Sequence, residues 1–317
     1  MHAADLIQAA IDRNRSIACV GLDPRPNLIP PTLVADALAR HGDTAEAVAD
    51  AFLTYNRGLI HAATNACAAV KLQLACYEAY GAAGMTCFAD TVQYARDRNV
   101  PVIADGKRND IGSTAEHYAQ AYLGAAPGLS GKPLPGLGCD WLTVNPYLGA
   151  DGITPFLDRH PSATGIFVLV RTSNASSGEL QDLTLAGQPA TTIAERVAKL
   201  VAGWASGRLG RSGLSSVGAV VGATHPGQAR SLRALLPDCL FLVPGYGAQG
   251  GSAQDALAGL RPDGRGILVN SSRALLGAWQ KPEYSGLNWK DAARAALEAM
   301  NKDLAAAGGV PPKAAEA

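Results

Sequence analysis

The stretch VIADGKRNDIG, residues 102–112, opens apolar and turns ionic within four residues. Its first part is short and carries Val and Ile, which suits a buried strand better than a helix. Its second part gathers Asp105, Lys107 and Asp110 where that strand ends. In many sheets such charges only mark where a strand meets solvent. They mean more if other strands end the same way, so the chain on either side decides the fold.

Seven further apolar runs have the same character: 16–22, 68–75, 141–147, 165–172, 217–223, 239–245 and 266–272. Between them lie stretches such as AEAVADAFLTYNRGLIHAAT, CFADTVQYARDRN, TIAERVAKLVAGWA and PGQARSLRALL, whose apolar residues recur every three or four positions. Several strand runs are apolar on both faces, as in a parallel sheet covered by helices. Eight β-then-α units most simply close into a single (β/α)8 TIM barrel, an α/β fold, spanning residues 1–317; a doubly wound open sheet is the alternative. The N-terminal MHAADLIQAAIDRNR reads as an amphipathic helix without a signal-peptide core. The Pro/Gly-rich segment 126–138 lies between a helix and the next strand, hence on the non-catalytic face, as an ordered-to-flexible excursion. Residues 306–317 read as a flexible C-terminal tail.

Composition narrows the possible partners. Hydrophobic residues make up 48% of the 317 and charged residues 17%, enough for a large core. Lys plus Arg and Asp plus Glu balance at 27 each, which argues against broad nucleic-acid or anionic-membrane binding while leaving room for a local phosphate site. No run approaches the about 18 apolar residues of a membrane helix. Six scattered cysteines without a CxxC pair suggest buried reduced thiols, neither a disulfide framework nor a zinc site, and a cytoplasmic setting.

In a barrel of this kind the active site lies where strands end and lead into helices. Asp23 ends the first strand run, and Asp23 before Pro24 equally suits an Asx-type turn. Lys71 lies within an apolar strand, where an ammonium needs a carboxylate; Asp105 on the next strand can supply one, as a purely structural pair or a catalytic one. Asp105 and Lys107 are two apart and so point to one side of an extended strand. Asp110 and Thr114 could simply cap the following helix. PGYGAQGG, after the seventh run, suits backbone N–H groups wrapped around a phosphate, and Arg273 after the eighth adds a guanidinium that can grip it. Loops after strands seven and eight are a recurrent phosphate site in these barrels.

Asp105, Lys107, Asp110, Ile111 and Thr114 form D-x-K-x-x-D-I-x-x-T, which resembles the signature of the orotidine 5′-monophosphate decarboxylase family. Asp23 in GLDPRP, Lys71, Ser173 in VRTSN, Gln249 in PGYGAQGG and Arg273 in NSSR follow in family order, over residues 16 to 276. The RTSN stretch and the chain length resemble the longer bacterial branch, although Ala175 stands where many relatives have Pro. The resemblance implies decarboxylation of orotidine 5′-monophosphate to UMP, the last step of de novo pyrimidine synthesis, without metal or cofactor. It implies that Lys107 protonates C6, Asp105 lies beside the departing carboxylate, and Lys71 bridges Asp105 and the ribose. Asp110 completes this charged network. Asp23 would hold a ribose hydroxyl, Ser173 the pyrimidine amide, and Gln249 and Arg273 the phosphate. Asp110 and Thr114 would reach into the neighbouring subunit's site, making a homodimer with shared sites. Tyr246 lies in the same phosphate loop.

The chemistry suits these residues. Loss of carbon dioxide from C6 leaves a carbanion that the ring cannot delocalise by simple resonance, so fixed positive charge must stabilise it. A lysine ammonium does this and delivers a proton, which arginine holds too tightly. Two rivals share features. Related barrels use Asp-x-Lys-x-x-Asp with a metal and an enediolate, or a lysine Schiff base, on sugar phosphates. A catalytically inactive nucleotide-binding protein is the other. Ser173 on the pyrimidine side and the Lys71/Lys107 pair favour the nucleotide reading over the first. Retention of all four charged residues speaks against the second.

Overall fold

The computed structural model describes residues 1–158, 163–187 and 191–310. Among the described residues ten strands follow in chain order: β1 (Ala18–Leu22), β2 (Ala69–Gln73), β3 (Val102–Arg108), β4 (Ala125–Pro127), β5 (Pro133–Pro135), β6 (Trp141–Val144), β7 (Gly165–Arg171), β8 (Val217–Val221), β9 (Phe241–Val243) and β10 (Ile267–Ser271). Eight of them close a parallel barrel in the order β1-β10-β9-β8-β7-β6-β3-β2. Because β1 pairs with both β2 and β10, the sheet has no edge and the open-sheet alternative falls away. All eight apolar runs of the sequence are these eight strands.

The barrel interior is filled by side chains. Trp141 of β6 stacks on Phe167 of β7 with ring centroids 4.4 Å apart, and both are fully buried. The Ala3–Asn14 helix closes the end where the strands begin: Ile7 is buried, and the Trp141 indole N–H donates to the Ala3 carbonyl at 3.4 Å. The His2 side chain caps that helix by accepting from the Ala4 N–H. The Ala45–Ala63 and Trp289–Ala306 helices pack closely because Gly58 has no Cβ; one there would lie 2.0 Å from the Trp289 ring.

Several boundaries differ from the sequence reading: the 141–147 run is a strand only as far as Val144, and the 239–245 run only over Phe241–Val243. The helix expected from Cys87 begins at Gly81, after a separate short helix Leu74–Glu78; Gly81, at φ +58°, makes the break between them. β3 runs three residues beyond Asp105, where Lys107 pairs back to Asp105 within the strand. The 126–138 segment is no irregular excursion: β4 and β5 form an antiparallel hairpin there. Gly136 N–H and Leu137 N–H donate to the Gly124 and Ala121 carbonyls, which ties it to the preceding helix. Of the expected C-terminal tail, the final helix includes residue 306, and Ala307 and Val310 pack against the core; residues 311–317 lie outside the described part.

All six cysteines are free; five are buried and Cys76 is half-buried. Burial pushes the thiols of Cys67, Cys87 and Cys239 up to about 12, and those of Cys19 and Cys139 higher still. Among the described residues no helix is long and apolar enough to cross a membrane.

Candidate active site

The site grows out of an irregularity in β3. Its register against β6 runs Ile103↔Trp141 and Ala104↔Leu142, then jumps to Arg108↔Val144. Asp105, Gly106 and Lys107 therefore stand opposite the single residue Thr143, a bulge of the kind that re-aims side chains. Lys107 adopts φ +47°, a left-handed conformation that costs a non-glycine residue about 1–2 kcal/mol. Gly106 makes the bulge possible, since a Cβ there would lie 2.5 Å from Leu74 Cδ1. Beyond the bulge the Arg108 carbonyl accepts from Asn145 N–H, and its guanidinium is held by Glu78 and Tyr122.

This bulge presents Asp105 as a hub. Lys71 Nζ donates to Asp105 Oδ2 at 2.8 Å and Lys107 Nζ to Oδ1 at 2.7 Å. Gln73 Nε2 adds a bond to Oδ2 at 3.1 Å, and the Thr143 hydroxyl one to Oδ1 at 2.8 Å. The carboxylate is thus saturated by four donors, two of them cationic. Burial opposes its charge, but Lys71 and Lys107 outweigh that and hold it well below the usual carboxylate range. Burial likewise opposes the charge on Lys71, and Asp105 with Asp23 overcomes it, raising Lys71 above the ordinary lysine range. Asp23 Oδ1 lies 3.5 Å from Lys71 Nζ and has no hydrogen-bond partner.

These groups face a cavity of about 470 Å³ between the strand ends, which Ser173 and Gln249 also line. It continues past Asp23 into a second lobe of about 350 Å³, bounded by Arg25, Gly245, Gln249, Ser272 and Arg273. Two larger grooves, of about 720 and 670 Å³, lie elsewhere on the surface. The smaller cavity is the better candidate because a buried ion-paired carboxylate and several unlike polar groups converge on it. Among the described residues, no three His, Cys, Asp or Glu side chains form a group able to hold a metal ion.

Ser173 packs against Gly222 and Gly245, where a Cβ on either would lie 2.8 Å and 3.2 Å from its own Cβ. Gly245, at φ +99°, also starts the Gly-rich loop. That loop differs from the sequence expectation. Gly247, Ala248, Gly250 and Gly251 spend their N–H groups on carbonyls within the loop itself. Side chains of Gln249 and Arg273 therefore dominate this lobe, with Arg273 Nη2 near the Ala248 carbonyl at 3.4 Å. The Tyr246 hydroxyl donates to Asp303 Oδ2 at 2.7 Å.

Asp110 and Thr114 are not part of this constellation within the chain. Asp110 accepts from the Ile111 N–H and lies outside the cavity, and Thr114 is exposed. Between them in the chain, Ile111 is 51% exposed. Ala175 opens a short 3-10 turn, Ala175–Ser177, at the first position, where a proline would also fit, so the turn forms without it.

Several polar residues escaped the sequence reading. Gln73 is two residues from Lys71 on β2, and that spacing could have found it. Thr143 and Asn270 had no such signal. Arg171 is fully buried and bonds Ser177, Gln181 and Asp182, so the 172–182 segment is pinned beside the cavity; Gln181 in turn bonds the Thr172 amide and hydroxyl.

A family model described as orotidine 5′-phosphate decarboxylase / HUMPS family matches residues 18–284. The orotidine 5′-phosphate decarboxylase of Rhodopirellula baltica is 45% identical over 312 residues, covering 96% of this chain and 99% of the relative. That of Caldicellulosiruptor saccharolyticus is 36% identical over 286 residues, covering 90% and 92%. Among solved structures, Leishmania donovani OMP decarboxylase superposes with a TM-score of 0.72 at 31% identity, covering 97% of this chain and 99% of that one.

Proposed function

Since this chain belongs to the orotidine 5′-phosphate decarboxylase / HUMPS family, we propose that it converts orotidine 5′-monophosphate to UMP and carbon dioxide, a carboxy-lyase reaction of pyrimidine synthesis. The observation that carries this reading is the Lys107 ammonium, fixed 2.7 Å from a buried carboxylate and facing the cavity. When the C6–carboxylate bond breaks, its electron pair stays on C6, where a preorganised cation stabilises it. Lys107 then transfers a proton to C6, and the C–H bond of UMP forms. Asp105, beside the departing carboxylate, holds both lysines in place. Lys71 bridges Asp105 to the ribose, and Asp23, which lines both lobes of the cavity, accepts from a ribose hydroxyl.

Ser173 faces the pyrimidine end, and Gln249 and Arg273 grip the phosphate in the second lobe. Binding energy from that remote group, which undergoes no chemistry, organises the reacting end. Asp110 and Thr114 act in the site of a second subunit. Their position outside the chain's own cavity, on either side of the exposed Ile111, supports a homodimer with shared sites.

The test follows the ultraviolet change on adding orotidine 5′-monophosphate to purified protein, with EDTA present. Turnover that survives EDTA and falls about 10³-fold in Lys107→Ala is expected. Mixing Lys107→Ala with Asp110→Ala protein should restore part of the activity, because mixed dimers rebuild one intact site. Folded wild-type protein that leaves the substrate unchanged would overturn the assignment, and no recovery on mixing would overturn the shared site.

A further inference from the structure

We infer that Thr143, a buried residue of β6, is the positioning residue that couples the proton donor Lys107 to Asp105. The bulge in β3 removes ordinary ladder pairing between Ala104 and Arg108, and Thr143 is the one residue opposite it. Its hydroxyl takes over that pairing. The Oγ1 hydrogen donates to Asp105 Oδ1 at 2.8 Å, and the same oxygen accepts from the Lys107 backbone N–H at 2.9 Å. A hydroxyl has one donor and two acceptor lone pairs, so a single atom can bond both partners at once. Thr143 is 1% exposed, and water cannot easily replace it.

The consequence for geometry is specific. Lys107 holds a backbone conformation that its type rarely adopts, and its N–H is fixed by Thr143 while its ammonium is fixed by Asp105. Both ends of the residue thus refer to atoms bonded to one hydroxyl. A β-branched side chain is stiff at χ1, which makes threonine a firmer reference than serine. Thr143 also lines the cavity, and the role inferred for it acts through the lysine and the carboxylate.

For its kinetic consequence this inference rests on the decarboxylase reading, so its test has one arm with turnover and one without. Thr143→Val keeps the shape and removes both bonds; Thr143→Ser keeps the oxygen. The single-turnover rate is expected to fall about 10²-fold in the valine variant, the scale of a small misplacement of a reacting group. KM should remain within about threefold, and serine should recover most of the rate. Crystal structures of unliganded wild type and Thr143→Val form the second arm, with the 2.7 Å contact of Lys107 to Asp105 kept in the first and lost in the second. A valine variant with wild-type rate and an unmoved Lys107 overturns the inference, as does equal damage from serine and valine. Wild type without turnover, together with a displaced Lys107 in the valine variant, overturns the decarboxylase reading and leaves the positioning role standing.

Discussion

Asp105 accepts from two ammonium groups, an amide and a hydroxyl, so no lone-pair site is left over for a fifth strong donor. Its charge is therefore part of the native structure, with a consequence for pH. Its folded pKa lies below the ordinary 3.8, so between the two values the unfolded chain binds more protons. The stability it supplies is complete above the unfolded value and is lost as pH falls through the folded one. Lys71 behaves in the opposite sense. Its folded pKa lies above the ordinary 10.5, so its contribution is complete below 10.5 and fades only as pH rises through the folded value. Urea unfolding carried from neutral pH to below the ordinary carboxylate value of 3.8 should show wild type losing stability more steeply there than the double variant Lys71→Met/Asp105→Asn. Equal slopes would remove Asp105 from the acid response. Asp105→Asn alone leaves a buried ammonium with Asp23 at 3.5 Å and should cost about 3 kcal/mol at neutral pH.

At the level of elements, another buried cation does for the far side of the barrel what Asp105 does for the site. Arg233, on the Pro226–Leu235 helix, donates to the carbonyls of Leu236, Cys239, Gly259 and Gly266 and lies 3.6 Å over the Phe241 ring. Those carbonyls belong to the approaches to β9 and β10, so one planar guanidinium registers two neighbouring units. Arg233→Met should lower the unfolding free energy by about 3 kcal/mol, read from urea midpoints, with kcat per folded molecule unchanged. Lysine should restore less than half, having three donors and no plane to lie on the ring. A methionine variant with the wild-type midpoint would show that the four bonds cancel against their solvation.

Arg233 also illustrates what could be read beforehand. The eight strands were legible because each is a short apolar run between helical patterns, and the charged strand ends were legible because ions are costly there unless paired. The bulge was not, since nothing in DGK announces that three residues will oppose one. With the bulge went Thr143, whose partners are set by the register of β6 on β3. The internal bonds of the Gly-rich loop were equally hidden, because glycine permits many turns and the sequence does not say which N–H groups they consume. Arg171 and Arg233 look like surface residues in a linear reading, and only the packed structure brings carbonyls and carboxylates around them.

On the scale of the whole molecule, closure of the sheet means that no strand can detach without breaking two ladders. The buried cysteines sit at separate points around that ring: Cys19 in β1, Cys67 before β2, Cys87 on the Gly81–Arg96 helix, Cys139 before β6 and Cys239 before β9. Burial and low thiolate content both protect them, while Cys76 is half-open, although burial raises its thiol too. The protein therefore carries its own clock. A thiol-specific dye should consume Cys76 promptly and then label the remaining five slowly and together, at a rate set by how often the barrel opens. Five separate rates would mean instead that sectors of the ring breathe independently.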